Sequence, residues 1–235
     1  MMSGKTKQQL LAQKVITVCN CDFPTPRMVE FVGKIGFDAL FIDCEHSSTD
    51  FRLVEELARA ARAAHMHSVL RPWTNDAGLI NRYLSCGAGG IQVPHVHSVA
   101  DAENILAGLR RWGDGDYTEK ILLVMVESTG AIESLPALLK MDEIDAFYFG
   151  QNDLAESMGY KGDRKHPKVR ATVEDAIKRV ADAGKVAGMN VQDEIDAVAR
   201  YMQLGLRWIN VHMQQFMERG SRAFLKAVKE SAAGY

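Results

Sequence analysis

Two acidic residues stand where apolar runs stop. Glu127 closes Ile121-Leu122-Leu123-Val124-Met125-Val126, and Asp153 follows Ala146-Phe147-Tyr148-Phe149-Gly150-Gln151-Asn152. A buried strand ending in a lone carboxylate is costly unless the charge has a partner. Two such endings on consecutive strands would set two hard oxygen ligands side by side, the start of a divalent-metal site. Either residue alone serves equally well as a helix N-cap or a first-turn carboxylate after a strand, and Asp153 before Leu154-Ala155-Glu156 is well placed as a cap. Only their occurrence together points to a metal.

Positioning these residues requires a regular scaffold. Short apolar runs at Val15–Phe23, Ala39–Cys44, Ser68–Pro72, Gly90–Val96, Lys120–Val126, Ala146–Gly150, Val186–Val191 and Trp208–Met213 read as strands. Amphipathic stretches separate them at Thr25–Ile35, Thr49–Ala64, Ala77–Leu84, Val99–Leu109, Ile132–Leu139, Pro167–Ala183, Asp193–Leu204 and Gln215–Glu230. Gly36, Gly87, Gly184 and Gly205 sit past helix ends, where glycine is the usual stop. The alternation predicts an α/β fold, a single (β/α)8 TIM barrel over residues 1–235. Residues 1–14 form an extra N-terminal helix at its bottom. The length of 235 residues suits that fold, which typically takes about 250. An open doubly wound sheet is the alternative.

In a barrel, chemistry sits at the C-terminal ends of the strands. Those ends carry Asp22, Asp43-Cys44-Glu45-His46, Arg71, His95 and His97, Glu127, Asn152-Asp153, Asn190 and His212. They carry no lysine, since Lys120 and Lys185 start their strands, so a Schiff-base route is disfavoured. The turns after strands 7 and 8, Asn190-Val191-Gln192 and Met213-Gln214-Gln215, lack a glycine-rich phosphate loop, which argues against a phosphorylated substrate. The carboxylates Glu127 and Asp153 would hold a divalent cation, magnesium, manganese or cobalt, beside a chelating substrate. Arg71 would steady an oxyanion. His46 would move a proton, oriented by Asp43. That set suits enolate chemistry next to a carbonyl. His95 and His97 read as polar filling or subunit contact, and His65 and His67 as solvated residues of the bottom face.

Bulk properties narrow the partners. A net charge of −2 gives no basic excess for nucleic acid. No apolar run approaches the roughly 20 residues of a membrane span. The polar start lacks a signal-peptide core, and four cysteines, Cys19, Cys21, Cys44 and Cys86, make no disulfide framework. A cytoplasmic enzyme acting on a small molecule is expected.

The ordered segments Phe41-Ile42-Asp43-Cys44-Glu45-His46, Val69-Leu70-Arg71-Pro72, Ile91-Gln92-Val93-Pro94, Leu122 to Ser128 and Phe149 to Tyr160 resemble the HpcH/HpaI aldolase family. His166-Pro167 and Ala183 to Gly188 extend the resemblance, which runs from about residue 15 to 230. These are metal-dependent pyruvate aldolases. The resemblance implies a (β/α)8 barrel, often a hexamer that exchanges its last helix. It implies metal ligation by Glu127 and Asp153, an enolate steadied by Arg71, and a proton handled by His46 with Asp43. Backbone amides from Gly150 to Asp153 would hold the substrate carboxylate, and Gly150, Asn152 and Asn190 are assigned to substrate contact. The expected activity is reversible cleavage of a 4-hydroxy-2-oxo acid to pyruvate, or a close analogue, and an aldehyde. Decarboxylation, condensation or acyl-CoA cleavage on the same site are alternatives, as is a non-catalytic metal-binding barrel. Met125 (glutamine in many relatives), Ser85 and a short 110–120 segment mark where the substrate shell differs from the family pattern.

Overall fold

A computed structural model describes residues 3–111, 119–191 and 194–232. Eight parallel strands close into a barrel in chain order. They are β1 (Ile16–Asn20), β2 (Ala39–Asp43), β3 (His67–Arg71), β4 (Gly90–Val93), β5 (Ile121–Val126), β6 (Ala146–Phe149), β7 (Val186–Asn190) and β8 (Leu206–His212). The helices are α1 (Ser3–Leu11), α2 (Pro26–Ile35), α3 (Phe51–Ala63), α4 (Ala77–Ser85), α5 (Val99–Arg110), α6 (Thr129–Leu138), α7 (Gln151–Ser157), α8 (Pro167–Asp182), α9 (Val198–Gln203) and α10 (Met213–Ala232). The barrel read from the sequence is the barrel observed.

Strand faces divide the apolar residues between two cores. Val18, Phe41, Val69, Leu123, Met125, Tyr148 and Trp208 fill the interior, while Leu40, Ile42, Leu70, Leu122, Val124 and Phe147 pack outward under the helices. Each strand is therefore buried on both sides, as parallel strands under a helical coat must be. Gly188 makes room for the largest interior ring: a Cβ there would lie 3.0 Å from Trp208 and 3.1 Å from Tyr148. The register steps between Ala187 and Gly188 at the same place.

Helix starts follow their cap residues. Thr25 accepts from the Met28 N–H ahead of Pro26, Asp50 accepts from Leu53, and Ser98 with Asp101 forms a capping box. α1 closes the barrel bottom as expected. Leu10 is buried in the interior core, and Lys7 pairs with the buried Asp145 at 3.0 Å. Lys120 and Lys185 bond carbonyls at that bottom end, from Ala88 and from Met141 and Ile144.

Several expectations need correction. β4 stops at Val93 because Pro94 cannot donate to the ladder, so His95 lies in a loop, not on a strand. β1 stops at Asn20, and Asp22 turns the chain with φ 56°. α7 follows β6 after Gly150 alone, a short helix that is not among the expected amphipathic stretches. Its N-cap is Gly150, so of the two structural roles open to Asp153, cap or first-turn carboxylate, it takes the second. His67 is not solvated: it is 4% exposed, against the interior. Asp193, the expected start of the amphipathic stretch Asp193–Leu204, and most of the short 110–120 segment lie outside the described residues. No helix among the described residues is long and apolar enough to cross a membrane.

Candidate active site

The site begins with a register. Asp43 and Arg71 end neighbouring strands as direct Cα partners. Arg71 Nη2 donates to Asp43 Oδ2 at 2.7 Å and Nε to Oδ1 at 3.1 Å, a bidentate clamp. Arg71 Nη1 reaches Glu45 Oε2 at 2.9 Å. Burial alone would raise the Asp43 carboxyl, but the guanidinium and the N–H groups of Glu45 and His46 bring it below the usual range. Burial likewise opposes the Arg71 cation, and the two carboxylates outweigh it. Arg71 lies over the Phe41 ring, 5.7 Å from its centroid.

Glu127 directly follows β5 with 5% of its surface exposed. Its Oε1 accepts the His95 N–H at 2.7 Å. Burial pushes its carboxyl up, the His95 N–H opposes that, and the charges of Asp153 and Glu45 push it up further. Asp153 itself is exposed at the lip of the cavity. Glu127 and Asp153 repel each other and are the carboxylates here that could hold a cation. No set of three or more His, Cys, Asp or Glu side chains is grouped to hold a metal among the described residues.

These residues open onto one cavity of about 360 Å³ at the C-terminal end of the barrel. That is small for a ligand pocket, which spans roughly 300–1,000 Å³. Asp43, His46, Arg71, Gly150, Asn152, Asp153 and Asn190 all line it, so the structure brings together seven of the eight residues singled out from the sequence. Glu127 stands directly behind Gly150. Met125 forms part of the lining, 2% exposed. Ser85 is used within its own helix, donating to the Asn81 carbonyl at 2.9 Å.

One expected contact is not made. The Asp43 carboxylate takes Arg71 and two backbone N–H groups, and the His46 imidazole is 68% exposed with Nε2 3.7 Å from Glu45 Oε2. Asp43 orients the arginine, and His46 stands toward solvent. Other residues near the strand ends also enter the site. Glu45 joins Arg71 to His95, whose Nε2 lies 3.0 Å from Glu45 Oε1. His95 Nδ1 lies 3.5 Å from Glu127 Oε1, so one ring spans both carboxylates. His97 bonds the Ser128 hydroxyl at 2.8 Å. Asp22 and His212 pair on the far wall. A histidine just past a strand end that carries a carboxylate neighbour was the available signal.

Comparison with known proteins decides the family. The model for HpcH/HpaI aldolase/citrate lyase matches residues 21–215. The chain belongs to this family. It is 34% identical over 209 residues to a hydroxypyruvate/pyruvate aldolase of Pseudomonas aeruginosa, covering 79% of this chain and 78% of that one. It is 30% identical over 218 residues to a 4-hydroxy-2-oxo-heptane-1,7-dioate aldolase of Klebsiella pneumoniae, covering 83% and 82%. Among solved structures, a family protein of Burkholderia cenocepacia superposes with a TM-score of 0.84 at 25% identity, over 96% of this chain and 99% of that one.

Proposed function

We propose that this chain is a divalent-metal-dependent aldolase that reversibly cleaves a 4-hydroxy-2-oxo acid to pyruvate, or a close analogue, and an aldehyde. The observation that carries this reading is buried Glu127 beside Asp153, sharing a lysine-free pocket with an arginine clamped by Asp43. Glu127 and Asp153 would hold a magnesium, manganese or cobalt ion, whose charge supplies polarisation of the 2-oxo group.

The chain's own residues do the rest. The first-turn amides of α7, Gln151 to Asp153, have no intrahelical acceptors and would bind the substrate carboxylate, with Asn152 and Asn190 beside them. Arg71 has five N–H donors, of which three are engaged by Asp43 and Glu45. The remaining two would meet negative charge developing on the 2-oxo oxygen as the C3–C4 bond breaks. Their geometry is set before substrate arrives, which is what makes such donors effective. His46 is exposed at the pocket wall and would exchange the 4-hydroxyl proton with solvent. The absence of lysine from the lining agrees with a route that forms no covalent amine.

Assembly into a homo-oligomer, with a hexamer as the family's frequent state, is part of the same reading. α10 extends 20 residues from β8 with only Met213 buried, and presents Phe224 (68% exposed), Leu225 and Val228.

The test is turnover of 4-hydroxy-2-oxo acids, with pyruvate detected, before and after exhaustive chelation. Activity restored by manganese, magnesium or cobalt, and absent in Glu127→Ala and Asp153→Ala together with their metal binding, is the expected outcome. Undiminished turnover after complete chelation overturns the reading.

A further inference from the structure

The Asp22–His212 pair shares the cavity but takes no part in the roles above. β1 and β8 are neighbours, with Asn20 directly opposite His212. Two residues past Asn20, the chain turns at Asp22 in left-handed backbone, φ 56°. A non-glycine residue holds that conformation where its surroundings fix it, and here they do. Asp22 donates its N–H to Asn20 Oδ1 at 3.0 Å. Its Oδ2 accepts the Gln214 N–H at 2.8 Å. Its Oδ1 lies 2.5 Å from His212 Nδ1.

The consequence is an oriented imidazole. A carboxylate on Nδ1 selects the tautomer with the proton there, leaving Nε2 as a lone-pair acceptor. Asp22 is 13% exposed and His212 31%, and both line the cavity together with Asn20. In the closed ring β1 lies opposite β5, so this pair faces the Glu127 side across the barrel mouth. A substrate whose oxo-acid end lay at Glu127, Asp153 and Arg71 would extend its other half toward His212.

We propose that His212, held in place by Asp22, hydrogen-bonds a hydroxyl group in the aldehyde half of the substrate and so selects hydroxylated aldehydes over alkyl ones. This rests on the aldolase reading. His212 is a specificity-determining residue and Asp22 a positioning residue. Nε2 accepts the substrate O–H, and no bond is made or broken by the pair. An alkyl group in the same place leaves a desolvated acceptor without its partner, and such sites discriminate more strongly than apolar ones.

Glycolaldehyde and propionaldehyde test this, because they differ by a hydroxyl in place of a methyl group. The manganese-loaded enzyme is assayed for pyruvate addition to each, and for oxaloacetate decarboxylation, which uses the oxo-acid end alone. The parent should favour glycolaldehyde in kcat/KM by at least about tenfold. In His212→Leu the ratio should fall to within about threefold of unity, with decarboxylation within about threefold of the parent. Asp22→Asn should shrink the ratio, and His212→Gln, which keeps a polar atom near the Nε2 position, should retain more of it than His212→Leu. A His212→Leu enzyme with the parent's selectivity, or a parent without selectivity, overturns the proposal. If His212→Leu also loses decarboxylation, the ratios of Asp22→Asn and His212→Gln decide. A parent that performs neither reaction fails the aldolase reading instead.

Discussion

Gly150 stands so close to Glu127 that a Cβ at position 150 would lie 2.8 Å from the Glu127 Cβ and 2.9 Å from its Oε2. The Gly150 backbone, φ −83°, is open to any residue. Glycine is thus required here for space, not for its conformational freedom. Gly150→Ala should push the Glu127 carboxylate away from Asp153. Manganese affinity measured by calorimetry should fall about tenfold or more, the lower range for disturbing a ligand's support. Helix content by circular dichroism should stay at the parent value. Unchanged affinity would show that Glu127 does not hold the cation from this position.

Arg71 illustrates why a guanidinium is needed. It spans Asp43 through two nitrogens and Glu45 through the third, a fork that an ammonium cannot reproduce. Arg71→Lys keeps the charge and loses the geometry. We expect kcat to fall by about 10²–10³, the range for losing one oriented donor at a developing charge, with manganese affinity within about threefold of the parent. A fall confined to KM would move Arg71 from charge stabilisation to substrate capture.

Much of this was legible in the sequence, for physical reasons that differ by residue. Alternating runs and capped helices imply the barrel, and a barrel puts strand ends on one face, which assembles Asp43, Arg71, Glu127 and Asp153 from sequence alone. Side-chain partnership was not legible. Nothing in the spacing says that Asp43 spends its carboxylate on Arg71 and not on the His46 ring, since that depends on the β2–β3 register. His95 was hidden by Pro94, which ends β4 and lets the chain turn at φ 57°. The turn brings the ring back over Glu45 and Glu127. α7 was hidden because it is only 7 residues long, opens with polar Gln151-Asn152-Asp153 and has no side-chain cap.

His95 gives a separable prediction, because its backbone and its ring have different tasks. The N–H holds Glu127, and the ring spans Glu45 and Glu127. Asparagine tolerates left-handed backbone, so His95→Asn keeps the N–H and removes the bridge. Metal affinity should change by no more than about threefold. kcat/KM should fall about tenfold as Glu45, and with it Arg71, loosens, a loss of about 1.4 kcal/mol in transition-state stabilisation. A large loss of metal affinity instead would give the ring itself a part in holding the cation.

His67 sets a pH dependence of stability remote from the site. Burial pushes its imidazole down to about 4 from the ordinary 6.5, and its Nε2 has no hydrogen-bond partner among the described residues. Between those values the unfolded chain binds a proton that the folded chain does not. Stability therefore falls as pH drops from about 6.5 to about 4, and this contribution is flat above. The difference corresponds to about 3 kcal/mol. Urea unfolding at pH 7.5 and pH 4.5 should show most of that extra loss in the parent and not in His67→Leu. Equal losses in both proteins would show that His67 is protonated in the folded state.

The last helix carries the prediction on assembly. α10 has apolar side chains that its own barrel leaves uncovered: Phe224 is 68%, Leu225 55% and Val228 48% exposed. They fall on adjacent turns at spacings of one, three and four, so they form a stripe and not scattered exceptions. A stripe of this kind on a 20-residue helix is stable in water when another surface covers it. Leu225→Glu with Val228→Glu should convert the assembly to smaller species in sedimentation velocity. If catalysis needs only the barrel's own residues, the dissociated variant should keep its manganese affinity and its oxaloacetate decarboxylation within about threefold. Loss of decarboxylation with metal affinity intact would place a neighbouring copy's residue in the catalytic pocket.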